Sequence, residues 1–232
     1  IKNIKIGFEI CEDAWQEDRP ANHLVTQGIE IILNPSASHF AFEKEKYREQ
    51  LVVSSSKKFN CTYLYTNLLG NEAGRMIYDG DILIAQNGNL IGHNTRFSFK
   101  PFNILYCEVD FDRQTSSTNL KKDYTGKLEE MSQALPLALF DYLIKSKNKG
   151  FVLSLSGGAD SSTIAIMVRR MVDLAIQELG IATVRKRLKL PTTLKNAKDI
   201  MASLMVTAYQ GTQNSSAKTA ASARKLAEFI GA

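Results

Sequence analysis

The chain has 232 residues, of which 44% are hydrophobic, so it can bury one large core or two small ones. Its three cysteines, Cys11, Cys61 and Cys107, are scattered and form no C-x-x-C pair, which argues against a disulfide framework and favours a reducing, cytoplasmic location. The net charge of +5 suits anionic substrates, but it also suits an ordinary protein surface. We expect no membrane partner, because the sequence shows no secretory signal and no apolar span of about 18 residues. We expect no nucleic-acid partner, because it shows no basic stripe interleaved with aromatic residues.

Hydrophobic periodicity predicts a first half that is rich in strands, with helices between them. In chain order the predicted elements are a strand at 4–10, a helix at 19–28, a strand at 29–34, a helix at 44–58, a strand at 61–67, hairpin strands at 76–85 and 90–93, and a strand at 104–109. The hairpin prediction depends on the turn at 86–89, which reads QNGN, because Asn-Gly favours the tight turns that join antiparallel strands.

A polar stretch then predicts a linker, with residues 116–125 as its most polar part. The predicted elements after it are a helix at 135–147, a strand at 151–155, a helix to about residue 179, a basic and poorly periodic insertion at 182–199, a strand at 200–209 and a helix at 217–230. Gly231 is expected to end the last helix. Alternating strands and helices imply a parallel sheet, with ligands bound at the carboxyl ends of its strands.

The segment between the strand at 151–155 and the helix after it has an unusual composition. Residues 154–162 read SLSGGADSS. Two glycines at a strand-to-helix junction let the backbone turn tightly and present N–H groups at the positive end of the helix, which suits a phosphate. The serines add hydroxyl donors, and Asp160 can hold Mg²⁺. The alternative is a plain Gly-Gly turn in which Ser or Asp caps the helix.

The pattern Ser-Gly-Gly-x-Asp-Ser resembles the PP-loop of the ATP pyrophosphatases, which cleave ATP between its α and β phosphates. The ATPase P-loop is excluded because it ends in Gly-Lys-Ser/Thr, and no lysine stands here. The resemblance implies nucleotide binding, specifically ATP binding, and assigns Asp160 to Mg²⁺ as cofactor. The residues that it assigns to ATP are Leu155, Ser156, Gly157, Gly158, Ala159, Asp160, Ser161 and Ser162.

A second candidate site lies near the start of the chain, where the β-type segment KIGFEI leads into Cys11. A thiol at a strand exit can act as a nucleophile, but a lone cysteine is more often a small buried hydrophobe. Glu12 and Asp13 would raise the pKa of the thiol unless they point away. Activation would therefore need another base or a cation.

The run KIGFEICEDAW resembles the nucleophile segment of the nitrilase superfamily of carbon–nitrogen hydrolases, whose members use a Glu-Lys-Cys triad. Further stretches match the same branch in order: IILNPSAS at 31–38, NLLGNE at 67–72, YDG at 78–80 and NG at 87–88. A nitrilase-type amidase half followed by a PP-loop half is similar to the glutamine-dependent NAD⁺ synthetases, and the resemblance covers nearly the whole chain.

This resemblance implies an α/β fold in two parts. The C-terminal part of a nitrilase-like α-β-β-α sandwich would occupy residues 1–115, followed by a linker at 116–134. The N-terminal part of a PP-loop domain, an adenine nucleotide α-hydrolase-like parallel sheet, would occupy residues 135–232. The Glu and Lys of the triad would precede Cys11, and the rest of the synthetase domain would follow Ala232, so we expect the isolated segment to be inactive.

The resemblance also implies the reaction of a ligase in NAD biosynthesis. Cys11 would be the glutaminase nucleophile, Ser38 and Lys44 would bind glutamine, and ammonia would amidate AMP-activated deamido-NAD⁺. The expected partners are ATP, deamido-NAD⁺ and L-glutamine or ammonia, in a homo-oligomer. From residue chemistry alone, Ser38 and Lys44 are also ordinary loop and solvent positions. Two other functions stay open: a glutamine-dependent, AMP-forming ligase for a different carboxylate, and a non-catalytic nucleotide-binding protein.

Overall fold

A computed structural model describes residues 3–72, 74–111, 119–213 and 216–232 of the chain. These residues form two units. The first unit comprises Ile1–Gly70 and Met76–Glu130, and the second comprises Asn71–Arg75 and Met131–Ala232. The predicted domain boundaries at 115 and 134 stay a prediction, and residues 116–118 of the predicted linker lie outside the described residues.

Strands dominate the chain up to His93. The elements are β1 (Ile6–Phe8), α1 (Pro20–Leu24), β2 (Ile31–Ser36), α2 (Lys44–Lys58), β3 (Thr62–Asn67), β4 (Leu69–Asn71), β5 (Ile77–Asp79), β6 (Ile82–Gln86) and β7 (Asn89–His93). Five of the strands form one sheet in the order β1-β2-β3-β6-β7, and β4 and β5 form a short pair. The strands β1, β2 and β3 are parallel to one another, whereas β6 is antiparallel to β3 and β7.

The core of the first unit lies between this sheet and the helices α1 and α2. Its buried members are Ala21, Ile29, Ile32, Val52, Phe59, Cys61, Tyr63, Tyr65, Leu83, Ala85 and Leu90. Because the first three strands are parallel, their carboxyl ends meet at one edge of the sheet. Cys11 follows β1 at this edge, Ser38 follows β2, and Asn67 ends β3. The fold thus gathers two predicted site residues at one edge.

Helices dominate the chain from Lys127 onward. The elements are α3 (Lys127–Ser146), β8 (Phe151–Ser154), α4 (Ala159–Leu179), α5 (Ile181–Leu188), α6 (Ala197–Leu204), β9 (Met205–Ala208) and α7 (Ala217–Ile230). The strands β8 and β9 are parallel, with Phe151 opposite Met205 and Ser154 opposite Ala208. The helix α4 packs against α5, α6 and α7. Among the helices described, none is both long and apolar enough to cross a membrane.

Several predicted elements are confirmed. The bounds of α2 and α7 coincide with the predicted helices at 44–58 and 217–230. Gly231 ends α7 in the left-handed conformation, with φ +86°, as expected for a glycine that stops a helix. The strand, turn and helix predicted around residues 151–179 are also present, with α4 ending at Leu179.

The strand predicted at 104–109 is wrong, because these residues carry no regular secondary structure. Their side chains alternate as in a strand, and Ile104 and Tyr106 are 62% and 86% exposed. A strand, however, also needs a neighbour for its backbone groups, which sequence alternation does not report. The strand predicted at 76–85 is two strands, β5 and β6, because Gly80 turns the backbone between them with φ +67°.

The strand predicted at 200–209 is also wrong in its first half, since α6 continues to Leu204 and β9 has only four residues. Asn196 and Asp199 start this helix, each side chain accepting a hydrogen bond from the backbone N–H of the other. The segment at 182–199, predicted as an irregular insertion, contains α5, which buries Val184. The helix α3 starts at Lys127 rather than at 135, and acidic residues in its first turn favour the longer helix.

Candidate active sites

Cys11 lies in a strained turn at the exit of β1. It has φ +49° and is the first residue of a 3₁₀ turn, Cys11–Trp15. Such a conformation costs a non-glycine residue about 1–3 kcal/mol and is most often found at functional sites. The Ile10 N–H donates to a carboxylate oxygen of Asp13 at 3.0 Å, which ends β1 short of the predicted strand at 4–10. One of the two neighbouring acids is therefore engaged with the backbone.

The three cysteines differ in their environment. Cys61 is completely buried in the core of the first unit, so it fits the description of a small hydrophobe. Cys11 is half-buried, its thiol is free, and it lies outside that core. A buried packing role therefore describes Cys61 better than Cys11, and the half-buried free thiol at the strand exit favours the nucleophile.

A buried polar group fixes the end of β1 beneath Cys11. The Glu9 carboxylate accepts hydrogen bonds from the Arg19 guanidinium, from the Tyr63 hydroxyl at 2.8 Å and from the Ala21 N–H at 2.9 Å. The Glu9 carbonyl accepts from the Asn34 amide at 3.0 Å. Burial alone would raise the pKa of Glu9, but the bonds from Arg19, Tyr63 and Ala21 outweigh it and hold the pKa below its usual value.

Replacing Glu9 with glutamine is expected to lower the free energy of unfolding by about 3–5 kcal/mol at pH 7, because the buried Arg19 loses its charged partner. A carboxyl whose pKa is lowered by folding stabilises the folded state at pH values above its unfolded pKa of 4.5. This contribution to stability is lost as the pH falls through the folded pKa. The difference between variant and wild type should therefore shrink below about pH 4.5. Urea unfolding of the full-length protein at pH 7 and pH 4 measures this difference in the free energy of unfolding. The exposed Glu17→Gln is the control, and an equal loss at both pH values would contradict the assignment.

Ser38 is held from two sides just after β2. Its N–H donates to the Asn67 side-chain oxygen at 2.9 Å, and its carbonyl accepts from the Asn67 amide nitrogen at 2.9 Å. From the other side, Nη2 of Arg48 donates to the Ser38 carbonyl at 3.0 Å and to its hydroxyl oxygen at 3.3 Å. Ser38 therefore has a fixed backbone conformation at the same sheet edge as Cys11.

Lys44, the first residue of α2, contacts the segment that contains Ser38. Its ammonium donates to the carbonyl of His39 at 3.2 Å, next to Ser38 in the chain. Burial lowers the pKa of Lys44, and the charge of Arg48 acts in the same direction, whereas Asp79, Cys11 and Glu12 oppose the shift. The opposing effects of Cys11 and Glu12 on this pKa indicate that Lys44 faces the turn that follows β1. The structure brings together the three residues that the sequence assigned to the amidase site.

Three residues around this site had no predicted role: Arg48, Asn67 and Asp79. Asn67 and Asp79 stand inside two of the stretches that match the nitrilase branch, at 67–72 and 78–80. The matching stretches were therefore the available signal for both residues. Arg48 gave no such signal, because a basic residue on a helix usually faces solvent, yet this side chain is completely buried.

The second candidate site is the turn between β8 and α4. Gly157 has φ +78°, and a Cβ atom there would lie 2.4 Å from the carbonyl oxygen of Thr219. Only glycine meets both the conformational and the steric requirement. Leu155 is buried and donates its N–H to the Ala208 carbonyl at 2.9 Å, which joins the start of the turn to the end of β9. The backbone geometry of this turn thus requires glycine at position 157.

The alternative of a simple helix cap does not describe this turn. Gly158 occupies the cap position of α4, and no side chain caps it there. The hydroxyl oxygens of Ser156 and Ser161 lie 3.1 Å apart, and the Ser156 hydroxyl accepts from the Gly158 N–H at 3.3 Å. The first N–H groups of a helix have no partner within it, so this end of α4 can receive an anion.

The donors near this turn suit Mg²⁺ bound together with a nucleotide. Asp160 is exposed in the first turn of α4, and the two serine hydroxyls lie within the same turn. In the described part of the chain, no cluster of three or more His, Cys, Asp and Glu side chains could hold a metal ion unaided. Mg²⁺ commonly takes one or two protein carboxylates and completes its coordination with substrate phosphates and water, so the residues fit this ion.

A cavity of about 230 Å³ lies at the carboxyl ends of β8 and β9. It is lined by Leu155, Thr207, Tyr209, Ala220, Ala223, Arg224 and Ala227. Ligands of parallel α/β sheets bind at this end of the strands. The cavity shares Leu155 with the glycine turn, so both belong to one candidate nucleotide site.

The two units therefore define a class of protein in which an α/β unit with a cysteine at a strand exit precedes a strand–turn–helix unit with a candidate nucleotide turn. Comparison with known proteins names the family. The profile of the NAD synthase family matches residues 131–228. Over 97% of its length, the chain is 31% identical to a glutamine-dependent NAD⁺ synthetase of Macaca fascicularis. The chain belongs to the glutamine-dependent NAD⁺ synthetase family.

Solved structures agree with this assignment. The crystal structure of a glutamine-dependent NAD⁺ synthetase from Cytophaga hutchinsonii superposes on 100% of the chain, with a TM-score of 0.82 and 45% sequence identity. The enzyme from Acinetobacter baumannii shares the fold, with a TM-score of 0.75 at 21% identity. The predicted fold class, part of a nitrilase-like unit followed by part of a PP-loop unit, is confirmed. The chain spans 38% of the length of each of these relatives.

Proposed function

We propose that the full-length protein is a carbon–nitrogen ligase that makes NAD⁺ from deamido-NAD⁺, with glutamine as the nitrogen donor and ATP cleaved to AMP and pyrophosphate. One observation carries the proposal: a strained, half-buried cysteine and a turn that requires glycine stand in one chain, and the whole of this chain superposes on a relative that is 45% identical. The relative is named as a glutamine-dependent NAD⁺ synthetase.

In the first stage, the Cys11 thiolate attacks the side-chain amide carbon of glutamine. Ammonia leaves, and water then hydrolyses the glutamyl thioester to glutamate. Ser38 and Lys44 hold the glutamine, a role supported by the hydrogen bonds that fix them and by the position of Ser38 at the same sheet edge as Cys11. In the family resemblance, the Glu and Lys of the triad precede the cysteine and act as base and as cation for the oxyanion.

In the second stage, the turn at 155–162 binds the β and γ phosphates of ATP. A nicotinate carboxylate oxygen of deamido-NAD⁺ attacks the α phosphorus, and the bond to pyrophosphate breaks. Ammonia then attacks the activated carbonyl and displaces AMP, which gives the amide of NAD⁺. When bound, Mg²⁺ neutralises charge on the departing pyrophosphate, and Asp160 is the residue proposed to hold it. The chain contributes mainly positioning.

Two further observations support the nucleotide site. The A. baumannii relative, which shares the fold, was solved in complex with ADP. In addition, the cavity beside Leu155 offers room for the nucleoside part of ATP next to the proposed phosphate turn.

Ammonia must reach the second site without becoming protonated, because ammonium is not a nucleophile. A cytoplasmic location and a homo-oligomer stay predictions, and the free cysteines suit the former.

The test of this proposal is a substrate screen with the full-length protein. With glutamine and ATP, deamido-NAD⁺ should be converted to NAD⁺, whereas other carboxylates should not be amidated. Turnover of a different carboxylate alone would support the other glutamine-dependent ligase. No turnover, together with no labelling of Cys11 by an electrophilic glutamine analogue in mass spectrometry, would support the non-catalytic nucleotide-binding protein.

A further inference from the structure

Arg48 is a completely buried cation in the first unit. Its guanidinium donates hydrogen bonds to a buried carboxylate on one side and to Ser38 on the other. One nitrogen, Nη1, donates to the Asp79 carboxylate and lies 3.8 Å from that of Asp81. The other, Nη2, donates to the carbonyl and hydroxyl oxygens of Ser38. A planar guanidinium can serve both sides at once, whereas the single ammonium of a lysine cannot.

Asn67 closes the same arrangement from the neighbouring strand. Its amide nitrogen donates to the Ser38 carbonyl at 2.9 Å and to the Asp79 carboxylate at 2.7 Å. Asp79 is thus shared by Arg48 and Asn67, the two residues that hold Ser38. Burial alone would raise the pKa of Asp79, but the adjacent Arg48 keeps it below its usual value, so the carboxylate stays charged. These shared hydrogen bonds hold Arg48, Asn67 and Asp79 in one arrangement around Ser38.

A second buried arginine nearby provides a comparison. Arg96 belongs to the same charged cluster, but the partners of its guanidinium are the carboxylates of Glu45, Asp79 and Glu130. A purely structural cluster needs only such pairs of opposite charge, and apolar side chains would often be as stable. Arg48 differs because two of its three hydrogen bonds go to a proposed substrate-binding residue.

We propose that Arg48 is a positioning residue for glutamine binding, which acts through Ser38 with the support of Asn67 and Asp79. The inference rests on the proposed glutaminase function. Substrate-binding groups must be held close to their working geometry by the residues behind them, since small displacements weaken binding and catalysis. Without Arg48, Ser38 would lose two of its four hydrogen bonds to these side chains and would no longer be fixed for glutamine.

The test compares Arg48→Lys with the matched control Arg96→Lys in the full-length protein. Both changes keep a buried positive charge, but only the first removes contacts to Ser38. We expect Arg48→Lys to raise the KM for glutamine about tenfold, as the loss of a hydrogen bond to a charged group would. Its kcat for glutamine and its ammonia-dependent synthesis should stay within about twofold of wild type, since neither Cys11 nor the nucleotide turn is touched. Arg96→Lys should leave the KM for glutamine within about twofold.

A second variant keeps the test decisive if Arg48→Lys does not fold. Asn67 is half-buried, and Asn67→Ser removes its contacts to Ser38 without leaving a buried charge unpaired, so it should also raise the KM for glutamine. An unchanged KM in the folded variants, or an equal rise in Arg96→Lys, would overturn the positioning role. Absence of glutamine-dependent synthesis in the wild type would instead refute the proposed function, so the two failures are distinguishable.

Discussion

Replacing Cys11 with alanine in the full-length protein should reduce glutamine-dependent NAD⁺ synthesis by a factor of about 10³ or more, because alanine cannot form the thioester. Synthesis from added ammonia should survive, since the proposed nucleotide site belongs to the other unit and needs no thiol. The measurement is the rate of NAD⁺ formation with each nitrogen source, at saturating ATP and deamido-NAD⁺.

Cys107→Ala is the matched control, because Cys107 is also a half-buried free thiol. Burial, together with the charge of Glu108, raises the pKa of that thiol, which makes it a poor nucleophile. The control should therefore retain glutamine-dependent synthesis. If a folded Cys11→Ala variant loses ammonia-dependent synthesis as well, the assignment of Cys11 as a dedicated amidase nucleophile is wrong.

The second large effect concerns Asp160. Asp160→Ala should lower ATP-dependent synthesis by about 10²–10³ with either nitrogen source, because charge on the departing pyrophosphate would then be poorly neutralised. Glutamine hydrolysis should persist at a measurable level. The quantities to measure are the rate of NAD⁺ formation and the rate of glutamate formation, each as a function of Mg²⁺ concentration.

Asp173→Ala is the control for this change. Asp173 lies on the same helix, α4, and forms an exposed pair with Arg169 that contributes little stability. It should leave both rates and the Mg²⁺ dependence unchanged. A near-normal rate of synthesis in Asp160→Ala, with an unchanged Mg²⁺ dependence, would rule out Asp160 as the metal ligand.

The elements that the sequence predicts correctly are those whose determinants are local. The helices α2 and α7 match their predicted bounds, and Gly231 ends α7 because a left-handed terminal residue favours glycine. The errors arise where the structure depends on contacts with other residues. Residues 104–109 alternate like a strand, but they do not pair with the sheet of their unit. Residues 200–204 are helical because the side chains of Asn196 and Asp199 cap the start of α6.

The same distinction applies to the candidate sites. Gly157 could be singled out from the sequence, because the turn that it forms excludes every side chain. Cys11 could be singled out as a strand-exit cysteine, although its φ of +49° had no sequence signature. Arg48, Asn67 and Asp79 could not be assigned a role, because α2, β3 and β5 bring them together around Ser38 only in the folded unit. The matching stretches marked Asn67 and Asp79 without giving them a role, and Arg48 had no such mark.

In the proposed reaction, the full-length protein couples glutamine hydrolysis to cleavage of ATP between its α and β phosphates. Phosphorus NMR of a turnover mixture of the full-length protein with ATP, Mg²⁺, deamido-NAD⁺ and glutamine tests it most directly. Because the turn at 154–162 has no P-loop lysine and can grip the β and γ phosphates as one unit, AMP and pyrophosphate should accumulate in equal amounts with NAD⁺. ADP and orthophosphate as the primary products would contradict the proposed reaction.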